Sequence, residues 1–324
     1  MPLVALEDAA REVDRAIGGP LKGLAYENAF AGVTSFLRRR YVPDGAGADV
    51  AILGVPFDQA VTHRPGSRFG PRAIREASTL QPFDPPFGWP FDPLSELAVA
   101  DAGDLAFDYA RPADFPARLL ERASRLLDAG AALIALGGDH SVTLPLLRAH
   151  AARHGPLAVV QFDAHSDLWP DDDPGRLDHG TFLLKAVREG LVDAARSVQV
   201  GIRTVTDDRV GVPMIDAREV HENGPAAAAA QMRRIVGDAP AYLSFDIDAL
   251  DPAFAPGTGT PVWGGLQSWQ AAAILRDLAG LRVKGGDVVE VSPPYDHAGV
   301  TAVAGAHVAT EILCLIGWHR LGKG

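Results

Sequence analysis

From residue 50 onward, short β-rich apolar runs alternate with longer segments of helical periodicity. The runs are Val50–Val55, Leu97–Ala100, Leu133–Leu136, Leu157–Phe162, Val198–Ile202, Val212–Ile215, Ala241–Phe245 and Val288–Val291. Eight such runs separated by helices predict an α/β architecture whose parallel sheet is covered on both faces. Between them, Pro112 to Gly130 carries Phe115, Leu119, Leu120, Leu126 and Leu127 at helical spacing and stops at a glycine, which readily takes the left-handed conformation of a helix end. Gln267 to Leu278 behaves similarly, and Pro225 to Val236 does so through its alanines. Val300 to Trp318 is the most apolar stretch, but His307 and Glu311 interrupt it, so it predicts a core helix and no membrane span.

No compositional shift marks a linker and no repeat is present, so residues 1–324 predict one domain, with residues 1–49 as an N-terminal extension of helix and loop. The Pro-rich stretch Gln81 to Pro93 predicts an ordered loop with Phe83, Phe87, Trp89 and Phe91 buried.

Composition narrows the function. A chain of 324 residues is long enough to bury about three quarters of its unfolded surface. The 30 Lys and Arg against 41 Asp and Glu leave a formal charge of −11, which argues against a nucleic-acid binder and is compatible with cationic partners. The single cysteine, Cys314, lies in an apolar run and reads as a buried structural thiol; without a disulfide framework the chain suits a reducing, cytoplasmic compartment. Met1 to Gly19 is too charged to hold the apolar core of a signal peptide.

The chemistry concentrates in three blocks, each just past an apolar run: Gly137-Gly138-Asp139-His140, Asp163-Ala164-His165-Ser166-Asp167 and Asp246-Ile247-Asp248. In a parallel sheet that is where ligands bind, because loops and helix N-termini converge beyond the carboxyl ends of the strands. In extended chain, side chains two apart share a face, so Asp163, His165 and Asp167 can point together, as can Asp246 and Asp248. A single aspartate at a strand end is ordinarily a turn or helix cap. Four carboxylates in one small volume, however, cannot all stay ionised without positive charge, and two divalent cations would supply it. Carboxylates mixed with two imidazoles favour Mn²⁺ over Fe²⁺, Ni²⁺ or Zn²⁺.

Extended through Ser141, through Phe162 and from Ser244 to Pro252 and Pro256-Gly257-Thr258-Gly259-Thr260-Pro261, these segments resemble the arginase/agmatinase (ureohydrolase) family, its agmatinase branch above all. The resemblance runs from about Asn28 to Leu315. It implies a three-layer αβα fold around a mostly parallel eight-stranded sheet, and a centre of two Mn²⁺ per subunit that hydrolyses a guanidinium group to urea and an amine. It also implies a ligand set. One metal would be held by His140, Asp163, Asp167 and Asp246, the other by Asp163, His165, Asp246 and Asp248, with Asp163 and Asp246 bridging. Asp139 and Asp251 are not ligands in that pattern.

A guanidinium carbon is a poor electrophile, so its hydrolysis needs a strong nucleophile at neutral pH; water between two cations has its pKa lowered far enough to provide hydroxide. Glu290, at the end of the last predicted strand, matches the family's carboxylate that pairs with the guanidinium. His179, in Asp178-His179-Gly180-Thr181, matches its histidine near the mouth, a candidate to pass a proton to the leaving amine. His63, His150, His154, His221, His297, His307 and His319 lack a comparable setting and read as surface or core residues.

The expected partner is a small cationic guanidine substrate, with no nucleic acid and no membrane. The segment from Leu168 to Asp178 lacks the Asn and Ser that arginases use on the amino-acid head, so arginine is disfavoured. Asp171 to Asp173 and Asp178 would attract the ammonium of agmatine, giving putrescine and urea; Arg176 could instead pair with the carboxylate of 4-guanidinobutanoate or 3-guanidinopropanoate. Guanidine itself, a formimino-group hydrolase or a one-zinc amidase on the same scaffold are the alternatives. The loop Thr62 to Gly70 is expected to border the mouth, and Asn28 with Phe30 to reach it from the same or a neighbouring subunit. The family implies a homotrimer or homohexamer.

Overall fold

The computed structural model describes residues 14–23, 27–81, 85–173, 175–206 and 208–323. Its strands are β1 (Val50–Val55), β2 (Val99–Asp104), β3 (Ala132–Gly137), β4 (Ala158–Phe162), β5 (Val198–Ile202), β6 (Met214–Asp216), β7 (Pro240–Asp246) and β8 (Arg282–Val289). They form one eight-stranded sheet in the order β2-β1-β3-β8-β7-β4-β5-β6, every neighbouring pair parallel. The helices of seven residues or more are α1 (Gly70–Ser78), α2 (Phe115–Asp128), α3 (Thr143–His154), α4 (Phe182–Arg188), α5 (Ala217–Asn223), α6 (Pro225–Val236), α7 (Ser268–Asp277) and α8 (Val300–Arg320).

Strand residues alternate between two cores, which is why the runs read as continuously apolar. Val50 and Ile52, with Ile134 and Leu136, face one core, closed by α1, α6, α7 and α8. Ala51, Leu53 and Val55, with Leu133 and Ala135, face the other, closed by α2, α3 and α4. The three-layer αβα arrangement follows from burying both faces of a parallel sheet. Helix α8 is long and apolar enough to cross a membrane, yet 78% of that stretch is buried inside the protein against the sheet and α1, and Cys314 is buried with it.

Strand β8 begins six residues before the apolar run that predicted it, because Lys284-Gly285-Gly286-Asp287 disguises its first half. The glycines are required by close approach. A Cβ at Gly285 would stand 2.3 Å from Nε2 of the buried His150, and one at Gly286 would stand 2.5 Å from the Leu243 carbonyl. In the loop from 81 to 93, Trp89 and Phe91 are buried as expected, but Phe87 is 86% exposed, with the Arg276 guanidinium lying over its ring. Phe83 lies outside the described residues, as do residues 1–13.

The four central strands, β3, β8, β7 and β4, stand side by side although far apart in the chain. Their carboxyl ends carry the three candidate blocks and Glu290.

Candidate metal centre

Each block is placed by its strand. His140 opens a 3-10 turn after β3, where Gly138 is obligatory because a Cβ there would stand 1.7 Å from the Phe57 carbonyl. Asp163 follows β4 directly, and Asp246 is the last residue of β7. His140 Nδ1 lies 2.9 Å from Asp167 Oδ2, 3.1 Å from Asp163 Oδ2 and 3.2 Å from Asp246 Oδ2. His165 Nδ1 lies 3.0 Å from Asp248 Oδ2 and 3.5 Å from Asp163 Oδ1. Two groups result, His140/Asp163/Asp246 and Asp163/His165/Asp248, each with ligand atoms within 4.8 Å of one another. Asp163 belongs to both groups, whereas Asp246 belongs to the first and Asp167 joins through its approach to His140.

The remaining valences of these side chains are tied down. Asp163 accepts from the His165 amide (2.7 Å) and from Gln161 Nε2 (2.7 Å), and Gln199 Nε2 in turn donates to Gln161 Oε1. Asp248 accepts from the Ala164 amide, and Asp246 from the Asp248 amide. Ser244 donates its only proton to Asp287 Oδ1 (2.6 Å), so the 2.8 Å contact between Ser244 Oγ and His140 Nε2 must be a donation from Nε2–H. Nδ1 of the neutral imidazole therefore turns a lone pair toward three carboxylates, and it makes no aligned hydrogen bond with any of them. Only a cation fits that convergence, whether a proton or a metal ion.

Electrostatics point the same way. Burial, together with the charges of Asp248 and Asp163, pushes Asp246 well above the usual carboxylate range. Burial and the Asp163 charge lift Asp167 to about 6. Two buried carboxylates held in this state resist ionisation and are relieved by divalent cations. The donors are carboxylate oxygens and two imidazoles, with no thiolate among them, which fits manganese better than a cysteine-selecting metal.

Beside this cage sits Glu290, one residue past β8, at φ +61°. Asp167 is likewise left-handed at φ +52°. Non-glycine residues in that region carry a strain of about 1–3 kcal/mol each and gather at functional sites. Glu290 Oε1 accepts from the His140 amide (3.0 Å) and from His179 Nδ1 (2.9 Å), while Oε2 is buried without a partner. His179 Nε2 meets Thr62 Oγ1 at 2.9 Å and the Thr62 amide at 3.2 Å. The amide contact suits a neutral ring. Burial also disfavours the charge, but the Glu290 hydrogen bond and negative charge overcome it and push His179 up to about 9. The Thr62 hydroxyl can accept an Nε2–H once the amide contact is given up, so the pocket favours protonation of His179.

Cage, His179 and Thr62 open into a cleft of about 440 Å³ whose outer wall is Trp169, Pro170, Arg176 and Asp178. The loop from Thr62 thus borders the mouth as expected. Asn28 and Phe30 do not line the cleft, and Phe30 is 89% exposed. The acidic run does not line the cleft either: Asp171 is buried in an ion pair with Lys185 Nζ (2.8 Å), and Asp172 pairs with Arg188. Asp139 caps the turn at Ser141 and holds the Ala60 amide; Asp251 holds the amides of Gly264 and Gly265. Of the other histidines, His150 is fully buried and held near 4 by burial, a core residue.

Sequence reasoning missed the supports. Ser244 on β7 and Gln161 on β4 each sit two residues before a cage aspartate, so a polar residue at period two inside an apolar run was the available signal. Asp287, three residues before Glu290, had no comparable mark.

The chain matches the arginase family over residues 48–315. An agmatinase of Chromobacterium violaceum is 52% identical over 297 residues, spanning 91% of this chain and 92% of that protein. A crystal structure described as a hypothetical agmatinase from Burkholderia thailandensis superposes with a TM-score of 0.93 at 51% identity, covering 96% of this chain and 99% of the other. Proclavaminate amidino hydrolase from Streptomyces clavuligerus gives a TM-score of 0.84 at 41% identity over 90% of this chain and all of the other (100%). Fold, cage and relatives define a ureohydrolase, an enzyme that cleaves non-peptide C–N bonds. The chain belongs to the arginase family.

Proposed function

We propose that the chain is a binuclear manganese amidinohydrolase that converts agmatine to putrescine and urea. The observation that carries this reading is Glu290, whose Oε1 holds the His140 amide and His179 while its buried Oε2 has no partner, next to a cage of four carboxylates and two imidazoles. In this reading His140, Asp163, Asp167, Asp246, His165 and Asp248 hold the metals, with Asp163 common to both. Bound there, the cations lower the pKa of water enough to supply hydroxide at neutral pH. Every other role belongs to the chain. Asp163, locked by Gln161 and the His165 amide, keeps both groups in register. Glu290 Oε2 takes the guanidinium in a charge-assisted hydrogen bond and fixes its carbon over the cage. His179, as imidazolium, donates the proton that the departing amine needs.

A sign follows from His179. The imidazolium is full at neutral pH and lost as pH rises through about 9. With His179 as the acid, kcat falls on that alkaline limb, its midpoint moved downward by bound cations, and His179→Asn flattens it. A pH–rate profile on the manganese-loaded enzyme that keeps the limb in the variant would remove His179 from this role.

Arg176 in the cleft wall favours a second reading, hydrolysis of a guanidino acid such as 4-guanidinobutanoate or 3-guanidinopropanoate. Urea release by manganese-loaded protein from agmatine, arginine, both guanidino acids and free guanidine decides between them. The expected result is agmatine turnover at least about tenfold above the rest in kcat/KM; turnover of the acids alone would make the second reading correct. Assembly as a homotrimer or homohexamer suits the exposed Trp263, Trp269 and Phe30, and a buried lone thiol suits the cytoplasm.

A further inference from the structure

The outer wall of the cleft holds a charge pair whose two members differ in how firmly they are fixed. Outside the cage and His179, Arg176 and Asp178 are the charged side chains of the lining. Asp178 is 14% exposed, and its Oδ1 is held by the Gly180 amide at 2.9 Å. Arg176 is 58% exposed, and its Nη2 reaches Asp178 Oδ2 at 2.8 Å. Its backbone is pinned, because Lys185 Nζ donates to the Arg176 carbonyl at 2.7 Å, so only the side chain is free to swing.

Taking the chain as an amidinohydrolase of cationic guanidines, the reading on which this step rests, we propose that Asp178 is the receptor for the distal ammonium of the substrate and that Arg176 is a built-in placeholder, displaced when that ammonium arrives. An ion pair with one member this exposed contributes little, so its exchange for another cation is easy. The carboxylate also has capacity to spare. Two oxygens offer about four lone-pair sites, and the Gly180 amide and Arg176 use two of them.

A displaced Arg176 moves out into solvent, where its side chain is already 58% exposed. The indole of Trp169 completes the subsite. It packs on Gly180, where a Cβ would come within 2.8 Å of its ring, and it remains 51% exposed to the cleft. It offers an apolar wall to a methylene chain and a π face to an ammonium. A distal carboxylate meets the opposite situation. A carboxylate that pairs with Arg176 where it now lies stands beside the like charge of Asp178, which the Gly180 amide holds.

The test compares agmatine with n-butylguanidine, which keeps the guanidinium and the four-carbon chain but ends in a methyl group. In Asp178→Asn the ratio of kcat/KM for agmatine over n-butylguanidine is expected to fall about thirtyfold, chiefly through the KM for agmatine. In Arg176→Ala the same ratio is expected to rise about threefold, because a competitor has been removed. On the wild type, added salt is expected to raise the KM for agmatine, which carries two charges, more than that for n-butylguanidine, which carries the guanidinium alone, a measurement that needs no variant to fold. Equal losses on both substrates in Asp178→Asn, a fall of the ratio in Arg176→Ala, or salt independence of agmatine would overturn the subsite. Urea from neither substrate with the wild type would instead overturn the reaction, which keeps the two failures apart.

Discussion

Asp246→Asn is expected to lose metal and activity together, while its metal-free form melts no lower than the metal-free wild type. Asp246 Oδ2 stands 3.2 Å from His140 Nδ1 and its other oxygen holds the Asp248 amide, so one substitution disturbs the β3 and β7 ends of the cage together. An amide in its place presents either a weaker acceptor or an N–H to the cations, and metal affinity is expected to drop by more than about a hundredfold. Stability moves differently. Burial and two neighbouring aspartates hold the folded-state pKa of Asp246 well above its ordinary value, so its ionised form opposes folding at neutral pH, and a neutral isostere removes that penalty. Manganese should therefore raise the Tm of the wild type and leave that of the variant nearly unchanged. Metal counting with thermal melts checks both halves; a variant that binds two ions per chain and turns over normally would remove Asp246 from the cage.

Glu290→Gln has a different expected signature: metal content stays and turnover falls. The side chain is absent from both ligand groups, and its Oε1 partners, the His140 amide and His179, can still be met by an amide oxygen. The negative charge facing the guanidinium is lost. Removing one preorganised electrostatic partner of this kind lowers kcat by up to about a thousandfold, roughly 4 kcal/mol of barrier. Normal metal stoichiometry with normal kcat would show that Oε2 does not touch the reacting group.

Much of this was legible before any coordinates because the informative residues obey short-range rules. Val50–Val55 and Val198–Ile202 are strands as read, since a strand buried on both faces is apolar at nearly every position, Gln199 being the exception. The cage aspartates and histidines declared themselves by type, by period-two spacing and by their place past such runs. What stayed hidden depends on neighbours distant in the chain. The first half of β8 is disguised by glycines whose purpose is to admit His150 and the Leu243 carbonyl. Asp171 carries a charge that suits a cationic substrate, but the partner it found is Lys185, on α4. Phe87 is aromatic yet exposed, with the Arg276 guanidinium over its ring, a pairing that no local pattern encodes. The role of Asp287 depends on Ser244, Tyr242 and Thr143, which converge on it from β7 and α3.

The interleaving of β3, β8, β7 and β4 bears on when the protein can first capture an ion. His140 and Glu290 touch across 150 residues of intervening chain. Contacts of such long separation form late, after the entropy of closing the loop has been overcome. During synthesis, a nascent chain that has already made β3 and β4 still lacks the strands that belong between them. Ion capture therefore waits for nearly the whole chain to emerge, and loading becomes a report that folding has finished.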